Sequence, residues 1–448
     1  MEDSFEARFH LAVQKRCSKL YGDSIPKQVL DRIAVEWAVL QDKYWLLLFE
    51  ALTVIADISR ENGCCFRIHG AVESSLIAYL LGLTKADPLP VHYLCPHCKR
   101  VEFITDGSVK CAPDLSERIC PVCGTNLNRS GFDLQLDFPF ARDRIWPLAE
   151  AAIDGSCIKE ICNRLEDKFG AVNRPSFDLR THICDLDKES RTRIILESNG
   201  DAETAKRFRL RTGIDMCEIP LCGDEGMKKI LPFIKTEINR VLPACEDSLS
   251  AVSSVITPSC FGDLIRICGL ALAEGAWQDN GKELIRDGVA TLNEIVTCRD
   301  DVYSRMLQVG FTPEDAYRIT DVVRKGRWKY KGNARIEQYR SDLQDKGIPE
   351  WYIGSMEKIS YLVPRSVCVR YALAAYRSAW ISNNYLPTII PEGIETVPRR
   401  FSISFRNRWM IEQSDFVITH VTNHIASGAA QFKALAEKQG KTVINLSL

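Results

Sequence analysis

Apolar side chains return every three to four positions through residues 25–62. Leu30, Ile33, Ala34 and Trp37 share one helical face, and Pro26 stands where a first helical turn tolerates proline. The pattern predicts two helices there. Residues 66–75 read instead as a strand, a turn at Gly70, and the start of a helix that runs to Leu83. Residues 146–169 are expected to be helical. The stretches 181–187 and 192–196 are expected as short strands. From Asp201 onward the helical period dominates. Thr312-Pro313-Glu314-Asp315 is a capping signature, with Thr as N-cap and Pro in the first turn. Ile348-Pro349-Glu350 opens another helix, with Ile353, Met356, Ile359 and Val363 as its apolar stripe. After Tyr385-Leu386-Pro387 the composition changes. Residues 389–398 read as a linker, 415–421 as a strand, 428–438 as a helix and 442–446 as a strand, one β-α-β unit.

With 448 residues the chain has room for about two to four domains. No apolar run approaches the roughly 20 residues that span a bilayer, so no membrane contact is expected. The start, Met1-Glu2-Asp3-Ser4, lacks the basic and apolar parts of a signal peptide, and the cytoplasm is the expected compartment. Lys plus Arg number 58 and Asp plus Glu 59. Net charge therefore selects no partner, and any polyanion site must be a local patch.

Four cysteines change the picture. Cys95-Pro96-His97-Cys98 and Cys120-Pro121-Val122-Cys123-Gly124 are two C-x-x-C knuckles at the spacing of a four-thiolate zinc ribbon. Two redox dithiols are the alternative, and the matched pairing favours zinc. Four thiolates leave no position open for water, so the ion is expected to be structural. Cys17, Cys162, Cys217, Cys268 and Cys368 are scattered and form no disulfide framework. Cys64-Cys65 is vicinal and expected reduced. Cys111 lies between the knuckles and is expected to be dispensable for the metal.

Two further features bear on ligands. The hydroxyls of Ser74 and Ser75 sit at a helix start, where an anion can bind; a plain helix cap explains them equally well. Arg324-Lys325-Gly326-Arg327-Trp328-Lys329-Tyr330-Lys331 is the densest basic run. Arg324, Lys325, Arg327 and Lys329 can neutralise phosphates, and Trp328 or Tyr330 can stack on a base; the bland reading is a solvated loop. A second run, Lys206-Arg207-Phe208-Arg209-Leu210-Arg211, reads better as a solvated helix face.

The stretch from Leu81-Gly82-Leu83-Thr84 through Asp87-Pro88-Leu89-Pro90-Val91-His92-Tyr93 into the first knuckle resembles the palm and zinc region of the PolC-type DNA polymerase III alpha subunit. Thr105-Asp106-Gly107-Ser108-Val109 and the second knuckle continue the likeness. Glu283-Leu284-Ile285-Arg286-Asp287-Gly288, Cys298-Arg299-Asp300-Asp301, Val323-Arg324-Lys325-Gly326 and Ile348-Pro349-Glu350-Trp351-Tyr352 resemble that family's fingers. Together the motifs cover roughly residues 20–387. Arg406 to Thr419, with Ser427-Gly428-Ala429-Ala430 and Gly440-Lys441-Thr442-Val443, resembles the second half of a SLOG-type Rossmann-like domain of the YpsA-related group. The first half is not recognised here.

The resemblance implies an α+β chain: an incomplete polymerase palm with a zinc-ribbon insertion, mostly helical fingers and a Rossmann-like fragment. Its expected divisions are 1–91 (helices and palm-like segment), 92–127 (zinc ribbon), 128–200 (remodelled palm), 201–387 (fingers-like) and 388–448 (SLOG-like half-domain). It also implies DNA and replication proteins as partners. No clamp-binding tail is recognised. The likeness breaks at the chemistry. Polymerases of this kind hold two divalent ions on clustered carboxylates. After Gly131-Phe132-Asp133-Leu134 the expected Asp-x-Asp pair is missing, and the third aspartate's place falls on Ile195. The family's basic residue in the Gly/Ser turn becomes His69, and one of its glycines becomes Glu73. In its nucleotide-binding turn the residues to consider are thus His69, Ser74 and Ser75. As substitute carboxylates, Asp185 and Asp187 would face one way on a strand, and Asp133 and Asp137 would share a helical face. Three readings follow. The first is a non-catalytic relative that binds DNA, weakly and without sequence preference, or a replication partner. The second is a magnesium-dependent polymerase with relocated carboxylates. The third is a non-functional remnant of a gene fusion.

Overall fold

The structure, a computed structural model, describes residues 5–64, 66–107, 109–136, 147–176, 180–198, several positions in 208–221, then 224–242, 245–330, 332–385, 399–414, 416–419 and 428–445. The chain divides into a unit of residues 1–377 and a unit of residues 378–448.

The first unit opens with α1 (Phe5–Tyr21), α2 (Lys27–Leu40) and α3 (Lys43–Glu61), followed by β1 (Phe66–Gly70) and α4 (Leu76–Leu80). The paired helices expected over 25–62 are present. Helix α3 buries Trp45, Leu48, Phe49, Leu52 and Ile55 along one stripe, each worth about 2 kcal/mol as area removed from water. Strands β2 (His92–Leu94), β3 (Val101–Phe103) and β4 (Asn128–Ser130) form a small antiparallel sheet in the order β3-β2-β4. Gly131 leaves that sheet at φ +103°, and a Cβ there would meet the Pro90 carbonyl oxygen at 2.4 Å, so only glycine fits.

Strand β5 (Leu148–Ile153) corrects the helix expected over 146–169; α5 (Ile158–Phe169), preceded by a 3-10 turn at Gly155–Cys157, is the helical part. Leu-Ala-Glu-Ala-Ala-Ile is composed of helix formers. The strand exists because it lies between two others, and neighbours override propensity. With β6 (Val172–Pro175), β7 (Thr181–Asp185) and β8 (Arg193–Ser198) it builds a mixed sheet in the order β1-β5-β8-β7-β6. Pairing is antiparallel except between β5 and β8. Ile68, Ala149, Ala151, Ile153, Cys184, Ile194 and Leu196 point into one core with side chains of α3 and α5. Alternation turns the intervening residues to the opposite face.

Helices then dominate, as expected: α6 (Asp224–Val241), α7 (Glu246–Ser253), α8 (Phe261–Leu272), α9 (Lys282–Arg286), α10 (Arg299–Gln308), α11 (Pro313–Arg324), α12 (Ala334–Asp345), α13 (Glu350–Lys358) and α14 (Arg365–Tyr385). The Thr312 hydroxyl accepts from the Asp315 N–H at 3.1 Å, the N-cap read from the sequence. Ile353, Met356, Ile359 and Val363 are all buried, although α13 stops at Lys358. The second unit holds the end of α14, then α15 (Arg399–Glu412), β9 (Phe416–Thr419), α16 (Gly428–Lys438) and β10 (Thr442–Asn445). β9 and β10 pair in parallel around α16, giving the expected β-α-β unit. The expected linker over 389–398 lies outside the described residues. No helix of the described residues is long and apolar enough to cross a membrane.

Candidate functional site

The open face of the five-stranded sheet carries the residues that the sequence marks for chemistry. Strand register places His69 opposite Glu150, Glu150 opposite Ile195, Ile195 opposite Ile183, and Ile183 opposite Arg174. One row therefore crosses all five strands at about 4.8 Å per step. Glu150 is exposed, and Ile195 is partly buried beside it. Sequence reasoning missed Glu150 because its segment reads as a helix.

The turn after β1 is filled by its own side chains. The Glu73 carboxylate accepts from the Gly70 N–H at 3.3 Å and lies 3.5 Å from His69 Nδ1. Arg370 of α14 approaches both Glu73 oxygens at 3.4 Å. Nothing near the turn in sequence could have revealed that partner, 297 residues away. The hydroxyls expected to meet an anion are already committed. Ser74 Oγ donates to the Ala71 carbonyl, and Ser75 Oγ donates to Glu36 at 2.7 Å. The other acceptor positions of Glu36 take the Leu76 and Ile77 N–H groups at 2.8 and 3.0 Å. A buried carboxylate of the chain itself thus satisfies the N-terminus of α4, and Ser74 and Ser75 are buried with it. The anion reading of these two hydroxyls is corrected to a structural cap.

The substitute carboxylates are also engaged. Asp185 is buried and clamped by Arg174 and by Arg193, whose Nε lies 2.7 Å from Oδ1. Asp187 accepts the N–H groups of Glu189, Arg191 and Thr192, which makes it the keystone of a turn. The two do not converge on one point. Asp133 stands at φ +49° in a non-helical stretch, so the helical face imagined for Asp133 and Asp137 does not exist at Asp133. Asp137 lies outside the described residues.

The knuckles do converge. Cys95, Cys98, Cys120 and Cys123 bring their sulfurs within 4.8 Å of one another, and no other such cluster of three or more ligating groups occurs among the described residues. Cys95 and Cys123 are 3.4 Å apart, Cys98 and Cys120 3.5 Å. Zinc–thiolate bonds of about 2.3 Å require tetrahedral edges of about 3.8 Å, so the cage fits a zinc ion with small adjustment. Both knuckles turn alike: the Lys99 N–H donates to the Cys95 carbonyl and the Gly124 N–H to the Cys120 carbonyl. The Thr125 hydroxyl, 3.4 Å from Cys123 Sγ, pulls that thiol down to about 5. The N–H groups of Val122 and Cys123 lower Cys120. Both therefore favour the thiolate that a metal needs. Cys111 takes no part in the cage. Burial pushes its thiol well up, and it donates to Asp114, which receives the Phe261 and Gly262 N–H groups at the start of α8.

The basic run after α11 divides by alternation. Lys325, Arg327, Lys329 and Tyr330 are exposed; Gly326 and Trp328 are buried. Trp328 is 0% exposed, with the Arg340 guanidinium 5.4 Å from its ring centroid. No base can stack on it, and its reading as a DNA contact is corrected to a core anchor. Arg324 and Lys325 share Asp321 at 2.6 and 2.7 Å. Gly326, at φ +64°, lies against Ser360, where a Cβ would come within 2.9 Å of its backbone. That contact fixes the turn that carries Arg327 and Lys329 outward. In the second run Lys206, Arg207 and Arg211 lie outside the described residues.

Known proteins give this geometry a context. Residues 8–142 match the family model of the bacterial DNA polymerase III alpha NTPase domain. The chain is 26% identical over 461 residues to the PolC-type DNA polymerase III of Caldanaerobacter subterraneus subsp. tengcongensis, covering 83% of this chain and 32% of that protein. The PolC-type enzyme of Streptococcus mutans serotype c is 26% identical over 85% of this chain and 32% of its own length. That of Streptococcus pyogenes serotype M5 is 25% identical over 82% and 31%. The chain thus spans about a third of the length of the curated relatives it matches.

Proposed function

We propose that this relative of PolC-type DNA polymerase III no longer transfers nucleotides and acts as a DNA-binding or replication-partner-binding protein. The observation that carries the reading is Ile195. Its place in the resemblance is that of a metal-binding aspartate, and here an aliphatic side chain stands mid-row beside a single glutamate, Glu150. Two-metal phosphoryl transfer needs several carboxylates around both ions, which activate the attacking oxygen and neutralise charge in the transition state. Asp185 and Asp187, the best substitutes, are spent on arginines and on a turn. Glu73 further disfavours a triphosphate, because its carboxylate already lies between His69 and Arg370.

Under this reading β2, β3 and the knuckles form a zinc ribbon over residues 92–127, with β4 pairing onto β2 just beyond it. Cys95, Cys98, Cys120 and Cys123 hold a structural zinc that stabilises the fold and leaves no open position for chemistry. Residues 1–91 and 128–200 supply the remodelled palm, 201–387 the fingers, and 388–448 a SLOG-like half-domain. DNA contact falls to Arg327 and Lys329, flanked by Lys325 and Arg324, with Tyr330 as the exposed ring. Contacts of this kind neutralise phosphates without reading sequence.

Primer extension on a primed template with magnesium or manganese tests the reading. No extension is expected, together with weak DNA binding that falls as salt rises. Extension that disappears in Asp185→Ala/Asp187→Ala would overturn the reading in favour of an active polymerase with relocated carboxylates. Absence of both extension and DNA binding would leave the scaffold as a remnant.

A further inference from the structure

A cleft of about 810 Å³ opens between α1, the C-terminal end of α3, the start of β1 and the C-terminal end of α4. Lys15, Arg16, Lys19, Arg60, Lys85 and Arg209 line it, with Asp215 as its one carboxylate. Asp215 lies 3.9 Å from Arg209, and Arg60 is held by Asp57 and by the Leu81 and Gly82 carbonyls. Lys15, Arg16, Lys19 and Lys85 are exposed and have no ion-pair partner among the described residues. In a chain of net charge −1, this is a strong local excess of positive charge. The arrangement follows from helix periodicity. Phe9, Val13, Cys17 and Tyr21 point α1 into the core, which turns Lys15, Arg16 and Lys19 outward together.

We infer that this cleft holds a single strand of nucleic acid through consecutive phosphates. The site is separate from the loop after α11. Lys15 and Lys19, four positions apart, are separated by about 6 Å along the helix, and a nucleic-acid strand carries a charge every ~3.4 Å of its axis, so the face matches about two phosphates. Lys85, from the segment after α4, adds a cation to the same lining, and Arg60 adds positive charge beside it. A cleft of about 810 Å³ takes a few nucleotides of one strand and is too small to enclose a duplex. The lining holds no Asn or Gln side chain, and its one carboxylate, Asp215, lies beside Arg209, so binding is sequence-independent. Its size lies within the range of ligand sites and exceeds what one inorganic phosphate fills.

The test is fluorescence anisotropy with a labelled oligo-dT 20-mer at two salt concentrations, on the full chain. Three proteins are compared: wild type, Lys15→Ala/Arg16→Ala/Lys19→Ala/Lys85→Ala, and Arg327→Ala/Lys329→Ala. The cleft variant should bind at least tenfold more weakly at low salt, and its salt slope should be shallower by about 2 to 3, since each phosphate contact contributes ~0.7 on a single strand. All four residues are exposed, so folding is expected to be kept. Lys15→Glu/Lys19→Glu, checked by thermal melting, should weaken binding further. Unchanged affinity in the cleft variants overturns the proposal, as does a loss confined to the loop variant, which would leave the loop reading standing. Equal competition by pyrophosphate would reassign the cleft to a free anion. Equal competition by polyglutamate at matched charge would reassign it to an acidic protein.

Discussion

The Arg370 guanidinium lies 3.4 Å from the Glu73 carboxylate and so joins α14 to the turn after β1 across 297 residues. Glu73 is nearly buried, and Arg370 is a quarter exposed. The pair places a negative charge of the protein's own at the turn where the resemblance expects a phosphate.

Glu73→Gln should therefore have two effects. Stability should fall by about 1–2 kcal/mol, because a partly buried guanidinium loses its ionic partner. Affinity for a nucleoside triphosphate should rise severalfold, since His69 and Arg370 then face an uncharged side chain. Chemical denaturation and equilibrium dialysis check the two arms. A drop in stability with no gain in triphosphate binding would show that the pair is a tether only.

Purified protein should carry about one zinc per chain. Cys120→Ser should lose it and melt earlier, because metal binding and folding of the β2–β4 module are coupled. Cys111→Ala should keep the metal while losing about 1 kcal/mol, since its thiol packs against Asp114 away from the cage. Elemental analysis and thermal melting distinguish the two. Full zinc occupancy in Cys120→Ser would refute the assignment. Acid should release the ion, as protons compete with it for the thiolates.

Asp185→Ala and Asp187→Ala should act on stability, not on catalysis. The first frees Arg174 and Arg193; the second removes the acceptor for three backbone N–H groups. A loss of about 1–2 kcal/mol each is expected by urea titration, with extension activity absent before and after. Magnesium-dependent stabilisation of the wild type, lost in either variant, would contradict this.

Trp328→Ala should destabilise the first unit by about 3–5 kcal/mol, the cost of emptying a fully buried aromatic site. Tyr330→Ala should leave the melting point within about 1 °C and weaken single-strand DNA binding, because its ring is exposed and bases stack on such rings. Melting curves and anisotropy titrations on both variants decide the assignment. Selective loss of binding in a stable Trp328→Ala protein would restore the tryptophan as the contact.

The sequence made plain those features whose cause is local. The knuckle spacing brought four sulfurs together as expected, Thr312 caps its helix, and the β-α-β order of the last sixty residues could be read from its apolar runs. Features set by distant neighbours were hidden. Leu148 to Ile153 is a strand only because β1 and β8 flank it. Trp328 looks exposed among lysines and arginines, yet alternation turns it inward under Arg340. The cations of the basic cleft come from residues 15 to 209, and no window of sequence contains them all. Glu36 reads as one more charge on a helix surface, and only the fold shows it buried against α4.

The middle row of the sheet also limits what single substitutions can restore. Ile195→Asp would put a carboxylate directly beside Glu150, one strand spacing away, where the two like charges repel. Until further ligands accompany it, that change brings only repulsion and the loss of a packed side chain. Glu73→Gly would likewise strip Arg370 of its partner before any substrate could take its place. Under the proposed reading, each single step toward metal chemistry runs downhill in stability with no gain in activity. Metal chemistry on this row would thus need several changes at once, and under the proposed non-catalytic reading single changes favour surfaces that hold nucleic acid rather than extend it.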